Sequence, residues 1–236
     1  MQVYICYNDY GDTMITKLFF ASLPAIIFII LFSLLDKEFV KKRWLQLLLV
    51  LVVGAIGSYI CYRFEMHFGS YFKKVKDSTY LEVLFYAIFG VAIFEEGYKW
   101  LISSGVTILD KKVKPLQILI YTVFASIGFA WFENIVYYAL KYNLMGTISR
   151  MFTAFPNHIC NAIWMGYFLI LFSKSKGKKK YLYLILSLVV ATLIHGLYNS
   201  FLYGGDPKLM EYNLIYIGIV YSFTILLFVK IKKEFK

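Results

Sequence analysis

Seven apolar runs succeed one another along this chain, at residues 16–35, 44–62, 81–108, 116–140, 151–172, 181–203 and 212–229. Each approaches or exceeds the roughly 20 residues that a helix needs to cross a bilayer. A chain in lipid must satisfy its backbone polar groups internally, so continuous runs of this length specify helices. A barrel would show short alternating strands instead. The expectation is an all-α fold, a polytopic transmembrane helical bundle of about seven spans. No internal repeat, low-complexity linker or second domain interrupts it, so residues 1–236 read as one integral membrane domain. Composition agrees: 60% of residues are hydrophobic, against roughly 45–50% in a soluble domain.

A net charge of +11 could suit a nucleic-acid binder, but the basic residues sit in short clusters between the apolar runs. Such clusters orient a membrane protein. Lys37, Lys41, Lys42 and Arg43 come after the first run, and Lys111, Lys112 and Lys114 after the third. Lys174, Lys176, Lys178, Lys179 and Lys180 come after the fifth, and Lys230, Lys232, Lys233 and Lys236 close the chain. The other side has only seven: Arg63, Lys73, Lys74, Lys76, Lys141, Arg150 and Lys208. The positive-inside rule then puts the N-terminus out and the C-terminus in. Residues 63–80 fall outside on this count and are expected to lie along the interface, with Tyr71 and Phe72 at the headgroups. Residues 1–13 carry Asp9 and Asp12 but no Lys or Arg, unlike a secretory leader, so the first run is expected to stay in the protein. Cys6, Cys61 and Cys160 form no CxxC. Cys61 and Cys160 read as small core residues.

Against this background the polar residues inside the runs stand out. Glu95, Glu96 and Lys99 lie within the third. A charge at bilayer depth costs at least about 2.5–3.5 kcal/mol, so such groups are rarely idle. On a helix Lys99 is within reach of both carboxylates, at i,i+4 and i,i+3. It can neutralise one and leaves the other available as a base. Glu133 lies in the fourth run with Tyr137 one turn on, where the phenol could donate to the carboxylate. His158 enters the fifth, and His195 lies in the sixth with Asn199 one turn on. His67 reads as a solvated loop residue. Counted along each helix, these groups fall between the middle and the outer half of the membrane, so four helices can converge them on one outward chamber. Each also has a purely structural reading. A Glu–Lys pair can be a clasp, a Glu–Tyr bond can lock two helices, and a buried His can serve a backbone carbonyl. The ordered set outweighs its members.

Glu95-Glu96-x-x-Lys99, Phe132-Glu133-x-x-x-Tyr137, His158 and His195-x-x-x-Asn199, in that order on successive runs, resemble the PrsW intramembrane protease family. That family is related to the type II CAAX prenyl endopeptidases and to bacterial membrane proteins sharing their fold. The matched positions span residues 95–199. The prenyl endopeptidases carry an Arg four residues after the second Glu. This chain has Trp100 at that offset from Glu96 and its basic residue, Lys99, one earlier, which favours the PrsW branch.

The resemblance implies a bacterial cell-membrane protease. Its substrate would be a single-span, membrane-anchored anti-sigma factor cut on the extracytoplasmic side, which starts regulated proteolysis and frees a stress-response sigma factor. The expected mechanism is hydrolysis by a glutamate-activated water. Glu95 is the expected base with His158 sharing the proton transfer and Glu96 is held by Lys99, although the two carboxylates could exchange roles, and His195 and Asn199 donate to the oxyanion. Glu133 and Tyr137 support them. A metal-free site is favoured because the HExxH spacing is absent. The alternative is zinc on Glu95, His158 and His195. A transporter or channel with a Glu/His relay is the rival class, a prenyl-protein endopeptidase the rival substrate class, and a non-catalytic scaffold the third reading.

Overall fold

The computed structural model describes residues 13–69, 79–140, 143–203 and 207–235. Every regular element among them is helical. In order they are α1 (Met14–Ser33), α2 (Lys37–Gly69), α3 (Tyr80–Phe85), a π-helical turn (Tyr86–Ala92), α4 (Ile93–Leu109), α5 (Pro115–Glu133), a second π-helical turn (Asn134–Ala139), α6 (Leu144–Phe152), α7 (Ala154–Lys174), α8 (Lys178–Tyr203) and α9 (Pro207–Glu234). Five of these helices, α1, α2, α5, α8 and α9, are long and apolar enough to cross a membrane. The other two long rods, α7 and the continuous α3–π–α4, correspond to the fifth and third apolar runs, and both carry site residues. The bundle is therefore a multi-pass membrane protein.

Local chemistry sets the helix starts. Thr13 caps α1 by accepting from the Thr16 N–H, and Thr79 and Glu82 form a reciprocal capping box on α3. Asn143 caps α6 through the Gly146 N–H at 2.9 Å. Pro115 sits in the first turn of α5, where its missing N–H costs nothing.

Three boundaries depart from the sequence reading. First, α2 runs on to Gly69, so Arg63 and His67 lie on a helix, and His67 is an exposed helical residue. Charge ends a hydrophobic run but does not end a helix; the expected interfacial residues Tyr71 and Phe72 lie outside the described residues. Second, Met151 and Phe152 belong to α6, and the chain breaks at Thr153 (φ −114°, ψ −77°) before α7 begins. Pro156 explains it, because proline is tolerated only in a helix's first turn. The carbonyls exposed by the break accept from the Tyr221 hydroxyl of α9, at 3.0 Å from Phe152 and 2.7 Å from Thr153. Third, α2 kinks at Arg43 (φ −118°, ψ 19°), which separates a short leading turn from the spanning part.

The centre of the bundle is α5. All its residues from Ile118 to Ala130 are buried, with α1, α2, α4 and α7 packed around it. Its closest neighbour is α2. A Cβ at Gly128 would run into the Leu51 carbonyl, and one at Gly54 into the Ala125 carbonyl. These two glycines let the backbones approach in the way small residues do between membrane helices. With α5 fixed, α4 and α7 bracket it, and α8 lies against both. The Trp100 indole of α4 donates to Ser187 of α8 at 2.9 Å, and Ser126 of α5 donates to the His158 carbonyl of α7 at 2.9 Å.

Candidate functional site

These four helices carry the polar residues to one place. Glu95 and Glu96 lie in the first turn of α4, directly after the π-helical turn, and Glu133 is the last residue of α5, directly before the other one. A π turn holds one extra residue and rotates the next segment relative to an uninterrupted helix, a device common at functional sites. Both interruptions adjoin site carboxylates.

Glu96 is fully buried and anchors one half of the cluster. Its Oε1 accepts from Lys99 Nζ at 2.8 Å, His195 Nδ1 at 2.8 Å and Asn161 Nδ2 at 3.3 Å. With Nδ1 of His195 donating there, the neutral ring presents Nε2 as its acceptor nitrogen, which faces Glu95 Oε2 at 3.8 Å. Glu133 anchors the other half. Its Oε1 pairs with Arg150 Nη2 at 2.8 Å and its Oε2 meets His158 Nε2 at 2.9 Å. His158 Nδ1 in turn accepts from Lys99 Nζ at 3.0 Å. Lys99 thus joins both halves, 3.8 Å from Glu95 and lying over the Phe129 ring. The two imidazoles stand nearly perpendicular, 86° apart in plane, with centroids separated by 5.1 Å. Of these side chains Glu133 is the most exposed, at 18%.

A cation fits this arrangement. Glu95, His158 and His195 each offer a ligand atom within 4.8 Å of the others. Among the described residues the buried Glu95 Oε2 has no hydrogen-bond partner, and it faces the lone pair of His195. Two acceptors in that position repel unless a proton or cation lies between them. The Glu96–His195 and Glu133–His158 bonds have the form of carboxylates that orient metal-binding imidazoles from behind. Glu65 of α2 brings a further carboxyl group close to Glu95. Four carboxyl groups therefore meet two basic side chains, Lys99 and Arg150.

Six residues singled out by their intramembrane position, Glu95, Glu96, Lys99, Glu133, His158 and His195, come together, and Lys99 holds Glu96 more closely than Glu95. Asn199 is buried one turn beyond His195, with no hydrogen bond to the cluster among the described residues. The Tyr137 side chain, expected to bond Glu133, lies outside the described residues; Arg150 and His158 hold Glu133. Four participants escaped the sequence reading: Glu65, Asn134, Arg150 and Asn161. Asn161 was accessible, since it lies three residues after His158 on the same helical face. Arg150 and Glu65 sit at the ends of apolar runs, where charge reads as topology. Asn134 carries no signal apart from its neighbour; its Oδ1 accepts from Arg150 Nε at 2.8 Å.

Comparison with known proteins bears on the same residues. The profile of the family described as PrsW family intramembrane metalloprotease matches residues 42–229. A protein named Protease PrsW from Clostridioides difficile (strain 630) is 32% identical over 129 residues, 52% of this chain and 54% of that protein. One of the same name from Geobacillus kaustophilus (strain HTA426) is 30% identical over 116 residues, 48% of this chain and 50% of its own length. A third, from Oceanobacillus iheyensis (strain DSM 14371 / CIP 107618 / JCM 11309 / KCTC 3954 / HTE831), is 30% identical over 131 residues, 54% of this chain and 57% of its own. The chain spans about half the length of the curated relatives it matches. No solved structure matches it.

Proposed function

The chain belongs to the PrsW family of intramembrane metalloproteases, and from that membership we propose that it is an intramembrane endopeptidase whose buried Glu/His cluster hydrolyses a peptide bond in a single-span membrane protein. The substrate is a membrane-anchored anti-sigma factor, cut on the extracytoplasmic side to begin a stress response. This rests on the resemblance and on the charge count, which turns the site end of the bundle outward in the bacterial cell membrane.

One observation carries the chemical reading: Glu95, His158 and His195 bring three ligand atoms within 4.8 Å of one another, and among the described residues Glu95 Oε2 has no hydrogen-bond partner. These three would hold a divalent cation, zinc by donor type. When bound it supplies an activated water and a Lewis acid for the scissile carbonyl. The remaining work belongs to the chain. Glu96, fixed by Lys99 and Asn161, sets the tautomer of His195. Glu133, fixed by Arg150, does the same for His158. With Glu95 engaged as a ligand, the neighbouring Glu65 carboxyl accepts the proton of the attacking water and returns it to the departing amine, so that the C–N bond breaks and the proton count balances; in the metal-free version Glu95 itself takes that part. Asn199, behind His195, supports the oxyanion side. The metal-free version has one observation in its favour, since Lys99 already occupies Nδ1 of His158.

The deciding experiment is cleavage of a reconstituted single-span substrate. Glu95→Gln keeps size but removes the charge, and should lower the rate by about 10²–10⁴-fold with folding intact. Loss of activity with chelator and recovery with zinc supports the metal; chelator-resistant activity returns the mechanism to a glutamate-activated water. Full cleavage by a folded Glu95→Gln, Glu96→Gln variant rules out both. Substrate-independent ion flux in liposomes would support the Glu/His relay instead.

A further inference from the structure

At the end of the bundle away from the Glu/His cluster, the last turns of α4 and α7 and the first turns of α5 and α8 enclose a cleft of about 590 Å³. Glu95, His158 and His195 are each about 21 Å from it along their own helices, at 1.5 Å rise per residue. Three ammonium groups converge there from separate segments: Lys111 in the α4–α5 turn, Lys174 at the end of α7 and Lys180 at the start of α8. Ile108, Phe172 and Leu184 form an apolar wall beside them. Ile108 is 49% exposed, so this wall continues onto the lipid-facing surface.

A topology signal alone would leave these lysines solvated and spread apart. Two features distinguish the cleft from that. The lining carboxylate, Asp110, pairs with Arg43 at 3.6 Å and accepts from the Lys112 N–H at 3.0 Å. Among the described residues no carboxylate is ion-paired with Lys111, Lys174 or Lys180. Lys174 and Lys180 also lie over the rings of Phe235 and Phe172, at 4.4 Å and 4.8 Å from their centroids. Those contacts keep the ammonium groups at the rim of the cleft.

A concave site with unneutralised cations on one side and a lipid-facing apolar wall on the other suits an amphipathic anion. We propose that it binds the phosphodiester headgroup of an anionic phospholipid, with an acyl chain running along Ile108 and Leu184. Basic pockets between spanning helices recognise such headgroups. On the charge count this end faces the cytoplasm. The proposal does not depend on the chemistry of the Glu/His cluster.

The test uses the full chain in neutral detergent, with binding monitored by native mass spectrometry and by the thermal midpoint. Phosphatidylglycerol, phosphatidylcholine and inorganic phosphate are added separately. Phosphatidylglycerol should bind saturably and raise the midpoint, and phosphatidylcholine should do neither. Changing Lys111, Lys174 and Lys180 to Gln should weaken phosphatidylglycerol by about fivefold per lysine. Changing them to Arg should preserve binding, and so should changing Lys230, Lys232 and Lys233 to Gln. A midpoint in phosphatidylcholine equal to the unmodified chain's shows that the Gln variant folds; if it does not fold, the single changes carry the same test. Equal binding of the two lipids, undiminished binding by the folded Gln variants, or full displacement of the lipid by inorganic phosphate would overturn the proposal.

Discussion

Lys99 is the residue on which the cluster turns. It touches Glu96 and His158 and lies near Glu95, all of them buried. Removing one partner of a buried ion pair costs about 3–5 kcal/mol, because the other charge is left uncompensated. Lys99→Met should therefore unfold earlier in denaturant than Lys99→Met with Glu96→Gln, whose amide oxygen can still accept from His195. If the double variant is no more stable than the single one, Glu96 is not the partner that matters. Arg150 acts at one remove, through Glu133 upon His158. Losing such an outer contact typically lowers metal affinity about 10–100-fold. On the metal reading, Arg150→Met should weaken cobalt binding by that order, read from its visible absorption band. Arg150→Lys should fall between, since it keeps the charge and loses the fork that also reaches Asn134. Unchanged cobalt affinity in a folded Arg150→Met would leave Arg150 a purely structural contact.

At the level of elements, the site depends on how closely α5 approaches its neighbours. Glycine at 54 and 128 brings α2 and α5 together, and α2 contributes Glu65 to the cluster. Gly128→Val places two methyl groups against the Leu51 backbone, which cannot swing aside as a side chain can. Overpacking of this kind costs about 1–3 kcal/mol. The expected result is a lower thermal midpoint in detergent, with activity falling as α2 moves outward; a midpoint equal to the unmodified chain's would mean that the contact is not tight in solution. The short helix α6 has a different part. It is not a span, yet it delivers Arg150 to Glu133, so the connection between α5 and α7 belongs to the site.

For the whole molecule, the balance of basic residues bears on which end faces out. Sixteen against seven set the orientation proposed above. Cysteine introduced at Asn143 should react with an impermeant reagent on intact cells, and cysteine at Ser175 should react only after lysis. Labelling at Ser175 in intact cells would invert the bundle, turn the Glu/His cluster inward and remove the basis for an extracytoplasmic cut.

Each part of the molecule was legible in the chain to the extent that its physics is local. Bilayer thickness and backbone hydrogen bonding act through runs of about 20 residues, so the all-helical bundle could be read directly. The expense of intramembrane charge marked Glu95, Glu96, Lys99, Glu133, His158 and His195 as soon as they were met. Helix ends were less legible. The π turns, the extension of α2 to Gly69 and the separate α6 depend on local backbone satisfaction, which hydropathy does not record. Partnership between helices was not legible. The i,i+3 spacing offered Lys99 to Glu96, and they pair at 2.8 Å, but nothing local assigns Lys99 to His158, or brings Arg150 and Glu65 from the ends of other helices to the same carboxylates. Those pairings exist because α5 is buried along its length and its neighbours pack around it, and only the tertiary structure fixes which side chains meet.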